Sequence, residues 1–277
     1  MGRTFTKFSL LALSFVCLFF GKGYSIGIQN LVGARDVSLG NGTVALITPF
    51  SVYHNQASIA KIDRLTFAID YRQPFMIEGF AEKTVVVIIP TNLSGFAFGM
   101  QQTGISGYSE SRFNVAMAKN LGKRFSAGLQ FNYFLVNFPE QGRNRGTMLI
   151  EFGLLFQPSN LVTIGLHVFN PSGASIESLN YNAELPVGAT SGLAIQPSSN
   201  LLFVSAVSYT LKESLNIQMG IEYQFSDSFC LRGGLSGKPF RHSAGIGYRW
   251  NNFSVDFACV HHEMLGYSPS VSLSLFF

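Results

Sequence analysis

A strict alternation of apolar and small polar residues runs through most of this chain and limits what it can fold into. The period is cleanest at the C-terminus. Val271, Leu273, Leu275 and Phe277 fall on one face, and Ser270, Ser272 and Ser274 on the other. Upstream, Phe253, Val255, Phe257 and Cys259 alternate with Ser254, Asp256 and Ala258. Before them, Ala244, Ile246, Tyr248 and Trp250 alternate with Ser243, Gly245, Gly247 and Arg249. Leu215, Ile217, Met219, Ile221 and Tyr223 do the same against Asn216, Gln218, Gly220, Glu222 and Gln224. A period of two is the signature of a strand with two unlike faces. Strands of a soluble sandwich average about 5–6 residues, whereas about 9–11 are needed to cross a bilayer at a tilt. The runs here are of the second kind. Their polar faces carry Ser, Gly, Asn and Gln rather than Lys and Glu, which suits an enclosed lumen better than an open surface.

Composition sharpens this. The chain is 47% hydrophobic and 14% aromatic but only 12% charged, against about 25% charged in soluble domains. Yet beyond the N-terminus no window approaches the roughly 20 unbroken apolar residues of a membrane helix. A transmembrane β-barrel resolves the conflict, because its lipid-facing residues are spread over every second position. The pattern predicts an all-β, antiparallel barrel of about fourteen strands over residues 64–277. The expected spans are 64–74, 82–89, 94–103, 110–119, 124–136, 145–157, 161–169, 186–196, 200–209, 215–224, 228–236, 241–249, 253–261 and 268–277. The second and ninth lack clean alternation. Six connections of two to four residues, rich in turn formers, alternate with longer ones, the longest being 75–81, 137–144 and 170–185. Short periplasmic turns and longer external loops, with both termini inside, would produce that rhythm.

Residues 1–25 read as a signal peptide. Arg3 and Lys7 precede an apolar core from Ser9 to Phe20, and Gly23 and Ser25 sit at the small-residue positions of a cleavage site. Cys17 lies in this core without the flanking residues of a lipidation site. Loss of Arg3, Lys7 and Lys22 takes the formal net charge from +4 to +1, so the basic balance argues for no nucleic-acid partner. The expected location is the cell outer membrane, with bilayer lipid as the first partner. Cys230 and Cys259 fall on strands that are not neighbours, so no disulfide is expected.

Residues 26–63 break the strand pattern. The stretch Gly33-Ala34-Arg35-Asp36-Val37-Ser38-Leu39-Gly40-Asn41-Gly42 is small and Gly-rich, and Ser51 to Ala60 follows with Asn55-Gln56-Ala57 at its centre. Such a segment is expected to fold into the barrel as a plug, where its backbone polar groups find partners. A disordered tail is the alternative.

These residues resemble the opening of the PorV/PorQ family of Bacteroidota outer-membrane proteins, itself similar to the FadL/TodX-like barrels. Asn55 and Ala57 match that family's Asn-Pro-Ala motif, with Gln56 where the family has Pro. Later matches come in order: Gly220-Ile221-Glu222-Tyr223, Leu231-Arg232-Gly233-Gly234, Gly245-Ile246-Gly247-Tyr248, Val255-Asp256-Phe257-Ala258 and His262-Glu263-Met264-Leu265-Gly266. The resemblance implies a fourteen-stranded barrel with an N-terminal hatch. It also implies one of two jobs: type IX secretion, with secretion subunits or secreted cargo as partners, or FadL-like transport of small hydrophobic molecules. A structural barrel with no open path is the third reading. Transport calls for an apolar pocket against the plug and a gap in the wall, for which Ser94–Thr103 and Arg112–Ala118 are the candidate strands.

No enzyme, cofactor or metal site is expected. No Cys-x-x-Cys occurs, and the adjacent His261 and His262 point to opposite faces of a strand. A phospholipase arrangement would need a His and a Ser on one face, but His242 and Ser243 are adjacent and so opposed. What stands out is charge on inward faces: Glu222, Arg232, Arg249 and Asp256 from four consecutive strands, with Asp70, Arg72 and Glu151 pointing the same way. These form a structural ladder, an anchor for the plug, or a seat for a ligand's polar end. Arg35 is expected to face Glu222 or Asp256, so the candidate contacts between lumen and plug are Arg35, Asn55, Glu222, Arg232, Arg249 and Asp256.

Overall fold

A computed structural model describes residues 31–92, 94–105, 107–138, 143–177 and 182–277. The expected signal peptide, and residues 26–30 of the segment after it, lie outside the described residues. The strands are β1 (Thr66–Arg72), β2 (Ala81–Pro90), β3 (Gly95–Ile105), β4 (Tyr108–Asn120), β5 (Phe125–Phe138), β6 (Arg143–Phe156), β7 (Val162–Phe169) and β8 (Ser175–Glu177). They continue as β9 (Asn182–Glu184), β10 (Gly188–Ser198), β11 (Leu201–Thr210), β12 (Asn216–Gln224), β13 (Phe229–Ser236), β14 (Arg241–Trp250), β15 (Phe253–His262) and β16 (Gly266–Phe276). All but β8 and β9 close into one antiparallel barrel, in which β1 pairs with β16. Closure removes the free edges that a sheet cannot expose in lipid. The fourteen expected strands all form, with ends shifted by a few residues. The hairpin β8–β9, inside the long connection between β7 and β10, is additional.

The outward positions make an apolar belt. Phe98, Val115, Phe131, Ile217, Leu231 and Ile246 are all exposed, which is stable only against acyl chains. Among the described residues no helix is long and apolar enough to cross a membrane. At the end where the connections are short, Phe225, Phe229, Tyr248, Phe253 and Trp250 form a chain of ring contacts with centroids 4.7–6.3 Å apart. An aromatic girdle of this kind, with Tyr248 and Trp250 supplying amphipathic rings, marks a membrane–water interface. One connection departs from the expected rhythm. At the loop end β3 and β4 stay paired up to Ile105 and Tyr108, leaving two residues between them.

The inward positions explain the two strands whose alternation was blurred. On β2, Val86 and Ile88 are buried, and on β11 Leu202 and Val204. Both pairs face inward, so an apolar residue stands on each face and the period fades. They are apolar because the lumen beside them holds apolar residues of the N-terminal segment: Val32, Phe50, Val52, Tyr53 and Ile59 against β2, Leu39, Ala45 and Leu46 against β11.

Candidate functional site

Residues 31–62 fill the turn-end half of the lumen with a short helix Ala34–Ser38, another at Ser51–His54, and a 3₁₀ helix Gln56–Lys61. The barrel wall admits this backbone at glycines. A Cβ on Gly128 would stand 2.5 Å from the Gln56 carbonyl carbon, and one on Gly220 2.5 Å from the Leu39 oxygen. Real Cβ atoms do not approach so closely, so these sites require glycine for space alone. Gly95 meets Ile59 and Gly245 meets Ser38 in the same way. The alternating glycines of the inward faces are thus seats for the segment.

Two charged constellations bind it. On one side Glu222 is the centre. Arg35 Nε and Nη2 donate to its two carboxylate oxygens at 2.9 and 2.8 Å. Arg232, its neighbour in register, donates to Glu222 at 2.5 Å and to Asp256 at 2.7 Å. Four of the expected contacts, Arg35, Glu222, Arg232 and Asp256, therefore meet in one chain of charge-assisted bonds, and Arg35 chooses Glu222. Cys230 accepts from Arg232 at 2.8 Å, and Cys230 and Cys259 are free thiols. The chain lines a cavity of about 340 Å³ that reaches the turn end between Asp227, Ser228 and Phe276. Arg249 faces inward but stands exposed at the mouth of this cavity, and it does not lie between the two acids. Its strand places it next to the 251–252 turn, past the end of the charge chain.

On the other side the centre is Glu151, fully buried. Arg112 from β4 forms an ion pair with one carboxylate oxygen, and Asn132 from β5 donates to the same atom at 2.9 Å. The other oxygen lies 2.9 Å from His167 Nε2 of β7 and accepts from Gln56 Nε2 at 2.9 Å. Sequence inspection singled out Glu151 alone here. Arg112, Asn132 and His167 escaped because they stand 16 to 39 positions from Glu151 in the chain, and only the register of four successive strands brings them together. Gln56, standing where the family motif has Pro, is the segment's own ligand to this centre. Beside it, Asn55 donates to the carbonyls of Val44 at 2.7 Å and Leu154 at 3.0 Å and caps the 3₁₀ helix through Ala57. Asn55 thus ties two parts of the segment to β6.

Smaller ties complete the seat. Ala34 N–H donates to Ser272 Oγ at 2.6 Å, and that hydroxyl donates to Asp70 at 2.6 Å. Ser243 donates to the Ser38 carbonyl at 3.0 Å, facing inward while His242 faces lipid. The polar positions of the alternation serve the segment's backbone. Within the segment, burial pushes the Asp36 carboxyl above the usual carboxylate range, against the pull of His54 and Arg35 beside it.

The loop-end half differs. There Phe134, Val136, Leu149 and Phe169 face inward and pack with Ile176 and Leu185 of the long connection. The strands considered for a gap are continuous: β2, β3 and β4 pair without a break. The ladder is short elsewhere. β6 pairs with β5 from Arg143 to Phe156 but with β7 only from Glu151 to Phe156. Among the described residues no group of three or more His, Cys, Asp or Glu could hold a metal ion.

No family model matches the chain, and no curated protein does at the sequence level. The fold is similar to that of several solved structures. The toluene transporter TbuX of Ralstonia pickettii superposes with a TM-score of 0.67 at 12% identity, covering 89% of this chain and 98% of TbuX. The monoaromatic hydrocarbon channel CymD gives 0.66 at 11%, covering 91% and 99%. A Pseudomonas aeruginosa FadL homologue gives 0.62 at 13%, covering 92% and 99%. The resemblance to the PorV/PorQ family gains no support from these comparisons, and the architecture they share with this chain is the closed fourteen-stranded barrel of the FadL/TodX type.

Proposed function

We propose that this protein sits in the outer membrane, with its short turns towards the periplasm, and passes small hydrophobic molecules inwards. The observation that carries the reading is the apolar cluster in the loop-end half of the lumen. A water-filled pore lines itself with polar residues, yet Phe134, Val136, Leu149 and Phe169 face inward here, under a connection that contributes Ile176 and Leu185. Apolar lining with a few polar groups beneath it is what a site for a small hydrophobic ligand needs. Arg112 supplies that floor, its guanidinium 5.6 Å from the Phe169 ring and 5.2 Å from the Tyr53 ring. The straight path to the periplasm is filled by residues 31–62, so ligand leaves either past this plug or through the wall. The short ladder between β6 and β7, directly beside the cluster, favours the wall. In this reading the two charge centres anchor the plug, and the protein is no enzyme.

Uptake of radiolabelled toluene by cells carrying the wild type or Phe134→Asp tests it. The wild type should accumulate label faster than a deletion strain, and the variant should fall back to the deletion level while still reaching the outer membrane. Equal uptake in all three would end the proposal. The secretion reading rests on the sequence resemblance alone, and comparison of secreted proteins from the same deletion strain addresses it: a changed secretome with unchanged uptake would put it first.

A further inference from the structure

His261 has a partner that the sequence pattern hides. Its chain neighbour His262 points the other way, into the barrel, where its ring meets Phe75 at 6.1 Å. His261 points out, and directly opposite it in register on β14 stands His242. The two imidazoles lie with centroids 4.7 Å apart, and Tyr267 of β16 closes the far side of His261 at 4.6 Å. Both histidines occupy outward positions that elsewhere on these strands carry Ile246, Tyr248, Val255 and Phe257. The Nδ1 atom of His261 is buried and makes no hydrogen bond among the described residues. A polar nitrogen buried without a partner costs roughly 1–3 kcal/mol, and a ring stack alone leaves that cost in place.

We propose that His242 and His261 form a two-imidazole site for a divalent transition-metal ion at the loop-end rim of the apolar belt. Directly opposed residues on antiparallel strands have Cβ atoms about 4.5–5.5 Å apart. Two nitrogens each about 2.0–2.1 Å from one ion fit that spacing. Imidazole suits Cu²⁺, Ni²⁺ and Zn²⁺, and of these Cu²⁺ binds a given nitrogen site most tightly. Water or the oxygens of lipid headgroups fill the remaining positions. The location allows this. Trp250 marks the interface at the turn end of β14, and eight residues at about 3.4 Å per residue, on a strand tilted by about 40°, place His242 about 20 Å higher. That height is close to the upper edge of an apolar band about 25 Å tall, within reach of solvent ions.

The test is Cu²⁺ titration of the purified full chain in detergent micelles, followed by electron paramagnetic resonance. The expected result is one Cu²⁺ per protein with nitrogen hyperfine coupling. Even changes around a ligand cost about 10–100-fold in affinity, so His242→Asn and His261→Asn should each weaken binding at least about tenfold. His262→Asn alters the imidazole on the opposite face and should leave binding unchanged. The heat-modifiable gel shift of a folded barrel checks each variant, and any variant that fails it is replaced by the corresponding His→Gln. Absence of stoichiometric Cu²⁺ binding by the wild type, or full retention in folded His242 and His261 variants, overturns the site.

Discussion

The two centres that hold the N-terminal segment are built from the same parts and sit in different media. Glu151 and its partners are sealed: the side chains of Arg112 and Glu151 are 2% and 0% exposed. Glu222 and Arg35 are 15% and 21% exposed and border the cavity at the turn end. Coulomb attraction between like pairs is far stronger in the dry setting, but so is the cost of leaving either charge alone. The difference teaches that a count of ion pairs says little about a plug's hold. Solvent access decides how much each is worth, and of the two the Glu151 centre is the sealed one.

Breaking the dry centre should have the largest effect. Glu151→Ala strips four donors of their acceptor and takes from the buried Arg112 guanidinium the carboxylate that balances its charge, so it should cost about 3–5 kcal/mol, read from urea unfolding in lipid vesicles by intrinsic fluorescence. Overfilling the glycine seats comes next. Gly128→Ala and Gly220→Ala each force backbone apart and should cost about 1–3 kcal/mol in the same assay, with Gly128, on the dry side, the more sensitive. At the wet centre, Glu222→Ala should cost only about 1–2 kcal/mol, because water from the cavity rehydrates Arg35 and Asp256 still pairs with Arg232. Its effect should shrink in 1 M salt, whereas that of Glu151→Ala should not. Equal losses for the two glutamates, or equal salt dependence, would break the comparison.

The smallest effect concerns pH. The Asp36 carboxyl is raised by burial, so the folded state binds its proton more tightly than the unfolded chain does. That contribution is fully present below the unfolded value near 3.9 and is lost as pH rises through the folded one. Asp36→Asn should therefore flatten the part of the decline in stability that falls between the unfolded value and the raised folded one. A variant whose unfolding curve keeps the wild-type pH slope would show that His54 and Arg35 already neutralise the charge.

Alternation alone determined the class, the strand count and the closure of this protein. A period-two sequence with an apolar face has only one way to satisfy both its side chains and its backbone in lipid. It also identified the inward charges, because parity assigns each residue to a face without knowledge of its neighbours. That is how Glu222, Arg232 and Asp256 were legible, with Asn55 named from its match to the family motif and Arg35 from its place near the start of the segment. Contacts across the lumen were decided by tertiary structure. Arg112, His167 and Gln56 converge on Glu151, and His242 pairs with His261, through strand register and barrel shear, which no local window encodes. Arg249 shows the same limit from the other side: it has the right face and the wrong height. Parity is fixed by the chain itself, while height and partner are set by the folding of the whole barrel around the segment it encloses.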